Sequence, residues 1–395
     1  MKHRGAPLGL VVSVPLVACL LAGCSKDPAP YPVPGSTAAP STVAAASPAV
    51  AASSPGAGSP AAPPACSFER GLTGTIGPAH VFVQLHRKDD ELGGSYFYEK
   101  VGAELMLTGK VTGATFALVE SEHGKPTGKL DGGCQAGGAI SGTWSSPDGK
   151  RTLPFSFSVP ATITVGTRRL SFTARSKDAD GLGDCTFTRA LPVVFGAASA
   201  AIERRMAASI ASAAEGISDP QDERAARACH ASGDEGRLAY FDGGFTSPSQ
   251  DPNLLVFLFS AGRNAVPSAH PTNFAGATVL NLDVATGKAV TVTEVVTDEK
   301  RLVEMSRRCS DEAPDLAESG PSFLFLPRGI QVVGTSYPHA IAVVTFQGPV
   351  ISYASLLRDG LLAAGSPIAR VWAGQKPAAP GDSPCAVRWK PPLSG

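Results

Sequence analysis

The chain has 395 residues, with 34 basic and 34 acidic side chains and a formal net charge of zero. No basic stripe breaks that balance, which argues against nucleic acid as a partner. Eight cysteines occur without a C-x-x-C pair, so redox chemistry or a zinc knuckle is not expected, and structural disulfides of an exported chain are.

Basic Lys2 and Arg4 precede an apolar run, Leu8–Leu21, and then small residues before Cys24. This is the three-part layout of a secretory signal, too short for a comfortable membrane span. Leu21-Ala22-Gly23-Cys24 resembles the lipobox of bacterial lipoproteins. The resemblance implies a signal peptide over 1–23, cleavage before Cys24, and acylation (palmitate included) of that cysteine. Several acyl chains at ~0.8 kcal/mol per buried CH2 make a durable anchor, so the membrane is the first expected partner. Ser25 after the cysteine, by the same resemblance, favours the outer membrane over the inner. The mature chain then carries 32 basic against 34 acidic residues.

Residues 25–65 are almost wholly Pro, Ala, Ser, Thr and Gly, with nothing to bury, and read as a disordered stalk with a coil span of ~35 Å. Residues 24–65 thus form a lipidated linker. From 66 to 159 the chain reads as an all-β module. "TLPFSFSV" alternates, and "HVFVQL", "ELMLTGKV" and "TFALVE" are further strands. "DELGG", "EHGKPTG", "LDGG" and "SPDGK" read as turns. Six or so strands at this spacing predict an antiparallel meander or small barrel.

Residues 160–373 are mixed. Ile202, Met206 and Ile210 mark one face of a helix ending at Gly216, with Glu203, Arg204 and Arg205 elsewhere on the wheel. Leu302, Met305 and Cys309 mark a second helix capped by Thr297. "LLVFLF", "TVLNLDV", "FLFL" and "HAIAVVTF" (339–346) read as strands. The fold class is α+β: a β meander or small barrel, then an α+β domain, on a disordered Pro/Ala/Ser stalk, with a Pro-rich tail over 374–395. Six cysteines remain after processing: Cys66, Cys134, Cys185, Cys229, Cys309 and Cys385. They allow 15 pairings. Cys66–Cys134, inside one module, is the pairing expected, and Cys385 is available to staple the tail.

No G-x-S-x-G, H-E-x-x-H, P-loop or well-placed G-x-G-x-x-G is present, and no cofactor or metal is expected. Tyr96, Tyr98 and Glu99 form either a carbohydrate platform or ordinary sheet packing, with both tyrosines on one strand face and Phe97 on the other. Trp144 reads as core. His270 and His339 are either an acid/base or metal pair or, the favoured reading, structural histidines.

"GGSYFYEKVG" (93–102) and "ISGTWSSPDGKRTLPFSFS" (140–158) resemble a small Tyr-rich all-β module of bacterial envelope proteins, over residues 74–158. Over 165–372 the chain resembles an extracytoplasmic domain of unknown function. That domain is found in the lysozyme-sensing anti-sigma factor (the regulator of sigma-V) and in a peptidoglycan deacetylase. The matching positions are Ala269, His270, Pro271, Asn281, Thr286, Gly287, Lys288, Ile351, Tyr353 and Leu356. Pro267-Ser268 and the segment 307–320 depart from that pattern. The resemblance implies non-catalytic recognition of a lysozyme-like muramidase or of cell-wall material, with His270 and Tyr353 on the face to map. The alternatives are a peptidoglycan-modifying enzyme, for which Glu99, Glu120 and Glu122 read as surface carboxylates, and a structural envelope scaffold. A Cys24→Ser change is expected to abolish palmitate labelling and move the protein from the membrane to the soluble fraction. Retention on membranes would refute the anchor.

Overall fold

The structure is a computed structural model describing residues 68–386, apart from 136–137, 178–182, 218–219, 231–236, 267–272, 310–320 and 335–346. The signal, Cys24, the stalk, Cys66, His270, His339 and the strand expected over 339–346 lie outside the described residues.

Eight antiparallel strands close into a barrel: β1 (Leu72–Ile76), β2 (Ala79–Lys88), β3 (Glu91–Tyr98), β4 (Glu104–Thr112), β5 (Thr115–Glu122), β6 (Lys125–Cys134), β7 (Ile140–Ser145) and β8 (Thr152–Ser158). Each strand pairs with the next, and β8 returns to β1 through Thr73–Ser158 and Ile76–Phe155. Closure leaves no free edge. Alternate residues fill the interior, among them Leu72, Val83, Leu107, Leu130, Phe155 and Phe157.

Two segments read as turns are strand instead. "LDGG" (130–133) belongs to β6, and the glycines of "DELGG" belong to β3. The reason is space. A Cβ on Gly132 would lie 2.6 Å from the Phe155 ring and 2.8 Å from that of Phe116, so this barrel strand needs a glycine where two phenyl rings converge.

The second body has two sheets. One runs β13-β12-β11-β10-β9, from β9 (Thr164–Ala174), β10 (Cys185–Phe195), β11 (Arg237–Asp251), β12 (Leu254–Val266) and β13 (Asn273–Asp283). Within that sheet β10 and β11 pair in parallel, and its other described pairs are antiparallel. Helices α1 (Ala200–Glu215) and α2 (Pro220–Ala228) form the crossover that such pairing requires. The other sheet is antiparallel, β14 (Pro321–Leu326), β15 (Gly329–Gly334), β16 (Gln347–Ser352) and β17 (Cys385–Ala386). It lies with α3 (Val292–Val295), α4 (Glu299–Arg308) and α5 (Tyr353–Arg358).

The run Leu254–Phe259 explains how the layers join. Leu255, Phe257 and Phe259 pack with Met206 and Ile210 of α1. Leu254, Val256 and Leu258 pack with Phe323, Phe325 and Leu302 on the other side. A strand buried on both faces reads as continuous apolar text. Asn281, 6% exposed, then bridges the sheets: its Nδ2 donates to the Phe323 carbonyl at 2.8 Å, and Phe325 N–H donates to its Oδ1 at 2.9 Å.

Helix α4 starts one residue later than expected. Asp298 is the cap, its carboxylate accepting from Arg301 N–H at 3.0 Å, while the Thr297 hydroxyl donates to the Leu361 carbonyl at 3.3 Å. Disulfides join Cys185 to Cys229 and Cys309 to Cys385, closing loops of 44 and 76 residues. On a chain-entropy basis each contributes about 4 kcal/mol. The second one anchors β17, so tail residues complete a sheet. Cys134 is also disulfide-bonded.

Barrel and second body share one unit, Ala61–Gly395. Phe82 and Phe97 on the outside of the barrel stack at 5.2 Å, and Phe195 at the end of β10 stacks on Phe82 at 5.6 Å. The Arg169 N–H donates to the Gly102 carbonyl at 2.9 Å, covering the β9 edge. Glu203 does not join Arg204 and Arg205 on an exposed face. It is 8% exposed, and its carboxylate accepts from Gly71 N–H at 2.9 Å and Gly196 N–H at 3.0 Å, with the Arg70 guanidinium 3.7 Å away. Replacing it, as Glu203→Gln, sets an amide NH2 against one of those N–H groups. The expected cost is about 3 kcal/mol, read from the urea midpoint; an unchanged midpoint would show that the clasp contributes nothing.

Candidate functional site

The odd-numbered barrel strands finish at one mouth, and there the apolar interior gives way to polar side chains. Tyr96 and Tyr98 share the inward face of β3, as their spacing requires, while Phe97 points out to the seam. Tyr96 is 1% exposed and Tyr98 is half-buried. Their ring centroids are 5.4 Å apart in an edge-to-face arrangement, and their hydroxyl oxygens are 3.4 Å apart.

The carboxylate that meets them is Glu120, and Glu99 has no part in the cluster. Glu99 sits exposed in the β3–β4 turn. Glu120 follows Phe116 and Leu118 on the inward face of β5 and is 3% exposed, not a surface residue. Its Oε2 accepts from the Tyr96 hydroxyl at 2.6 Å and from Trp144 Nε1 at 2.6 Å. Burial first, and then the hydrogen bond to Glu120, push the Tyr96 phenol far above its ordinary pKa, so it remains a donor.

Local backbone makes room for this. Glu120 stands opposite Gly128, but Ser121 stands opposite Pro126, so Thr127 is an extra residue, a β-bulge. The Thr127 hydroxyl is buried without a hydrogen-bond partner. A Cβ on Gly128 would lie 2.5 Å from Trp144 Nε1. The glycine is therefore the gap through which the indole reaches Glu120. The half-buried Trp144 is a core residue, as expected, but one with its polar tip engaged.

Tyr353 is fully buried at the start of α5, its ring 5.0 Å from that of Trp372. Burial, and then the Asp251 charge, raise its pKa. It belongs to the core between the sheets. Thr286 and Lys288 stand at a turn held by Asp283, which accepts from Thr286 Oγ1 at 2.5 Å and from Arg370. Among the described residues no group of three or more His, Cys, Asp or Glu converges to hold a metal ion, and no helix is long and apolar enough to cross a membrane.

A hollow of about 340 Å³ lies along the seam between the barrel and α1, lined by Arg70, His86, Arg168, Leu191, Arg204 and Ile210. Arg70 is already engaged by Glu203 and Arg168 by Glu104, at 3.7 and 3.4 Å. The barrel mouth is the better candidate, since its carboxylate carries no cation.

No family model and no curated protein matches this chain. Two solved structures to which it is similar are bacterial proteins of the DUF3298 family. One is a member from Bacteroides fragilis, 13% identical, with a TM-score of 0.38 over 54% of this chain and 99% of that one. Another is a DUF3298 family protein from Pseudomonas aeruginosa, 12% identical, with a TM-score of 0.36 over 53% of this chain and 96% of that one.

A Gly128→Ala change is expected to drive the indole off Glu120, red-shifting tryptophan emission and costing about 2 kcal/mol in chemical denaturation. Wild-type emission and stability in that variant would mean that the hydrogen bond does not organise the mouth.

Proposed function

We propose that the protein is a lipid-anchored lipoprotein of the bacterial envelope that binds cell-wall material at the barrel mouth without transforming it. The observation that carries this reading is the grouping of two half-buried aromatic side chains around the Glu120 carboxylate: Trp144, which donates to it, and Tyr98, which reaches it through Tyr96. Aromatic faces stack on the apolar faces of sugar rings, and a carboxylate accepts from hydroxyl and amine groups. Few convergent polar groups within an apolar setting are what a small-molecule site consists of. The lipobox and the stalk support the location, since they would hold such a mouth some tens of ångströms from the lipid surface. Glycoside hydrolysis needs two carboxylates about 5–9.5 Å apart, whereas the described cluster is built around one.

The test is co-sedimentation of the mature protein with purified peptidoglycan sacculi. Saturable binding is expected, weakened about tenfold (~1.4 kcal/mol) by Tyr98→Ala, which removes a ring without touching the Glu120 hydrogen bonds. Absence of binding to sacculi, with saturable binding to a c-type lysozyme instead, would overturn it in favour of muramidase recognition.

A further inference from the structure

Four carboxylates among the described residues are buried, and three of them are neutralised. Glu203 has Arg70 at 3.7 Å, Asp222 has Arg263 at 3.3 Å, and Asp283 has Arg370. The fourth is Glu120. Both of its hydrogen-bond donors, the Tyr96 phenol and the Trp144 indole, are neutral, and no Lys, Arg or His nitrogen of the described residues comes within 4.0 Å of it. A buried carboxylate without a counter-charge loses several kcal/mol of hydration that neutral donors replace only in part. Its second oxygen, Oε1, takes no hydrogen bond from the described residues.

What stands around that charge is suited to a cation. Tyr96, Tyr98 and Trp144 bring three aromatic rings to the mouth; Tyr96 and Trp144 turn their polar edges to the carboxylate, and aromatic faces attract ammonium groups. The bulge opposite Glu120 holds the Thr127 hydroxyl, buried and unpartnered, whose lone pairs suit an N–H donor. We infer that the barrel mouth takes an alkylammonium group, with Glu120 as its counter-ion, the Tyr and Trp rings as its walls, and Thr127 as a further acceptor. This rests on the cell-wall reading for its biological ligand and narrows that reading from neutral sugar to a free amine. Such an amine is carried either by the peptide stems or by an unacetylated amino sugar.

The experiment uses wild-type mature protein with two preparations of sacculi, native and with the amines acetylated by acetic anhydride. Acetylation is expected to weaken binding about tenfold or more, the scale of a desolvated ion pair with aromatic contacts. Glu120→Gln is expected to lower binding to native sacculi to the level of the acetylated ones. Glycan strands stripped of peptide, compared with free stem peptides, identify which source supplies the amine. Equal binding to native and acetylated sacculi overturns the ammonium assignment and leaves the cell-wall reading standing. Independently of sacculi, n-butylammonium chloride is titrated while the indole N–H signals are followed by NMR, with n-butanol as the neutral control. A saturable shift of the Trp144 signal by the ammonium alone supports the assignment even where sacculi do not bind; identical responses to both probes overturn it.

Discussion

The two bodies of this protein are held in register by one carboxylate. Glu203 rises from the first turn of α1 and takes the backbone N–H of Gly71, where the barrel begins, and that of Gly196, where β10 ends. Backbone donors at the ends of strands have no ladder partner and must be satisfied somewhere. By satisfying one from each body, Glu203 converts a covalent link into a fixed geometry, and Arg70 balances its charge. The aromatic stack of Phe82, Phe97 and Phe195 removes apolar surface from water around that clasp. Directional hydrogen bonds set the angle, and the rings supply the adhesion.

A comparable division of labour joins the two sheets of the second body. Strand β12 gives one apolar face to α1 and the other to the four-stranded sheet, so both cores lean on six consecutive residues. Apolar contact alone would let the sheets slide. The Asn281 amide prevents this, because its donor and acceptor meet the backbone of β14 as a neighbouring strand would. The Cys309–Cys385 bond then holds β17 onto the far edge.

The barrel mouth follows the same logic but leaves it incomplete. Glu120 is inserted into an apolar interior, supported by two neutral donors, and opened to a bulge. Among the described residues every other buried carboxylate is matched by arginine. Here the matching charge has been left for something else to bring, which is how a core becomes a site.

Much of this was written along the chain. The period-two alternation of the first module, the two-faced apolar text of "LLVFLF", and the helical face of Met206 and Ile210 are local properties, and local sterics and burial dictate them. Even Glu120 was partly legible, since it shares the inward parity of Phe116 and Leu118 in "TFALVE". What parity cannot convey is company. Whether a carboxylate two positions past a leucine meets water, an arginine or an indole depends on which strands close beside it. That was decided by pairings between β3, β5, β6 and β7, over separations of 24 residues, and by a glycine whose purpose is visible only once Trp144 lies across it. The same holds for Glu203, polar by composition and buried because two backbone donors from distant segments arrive at its side. Sequence alone determined most of the strands and helices; only the tertiary structure decided which charges are compensated, because compensation is a matter of distance in space.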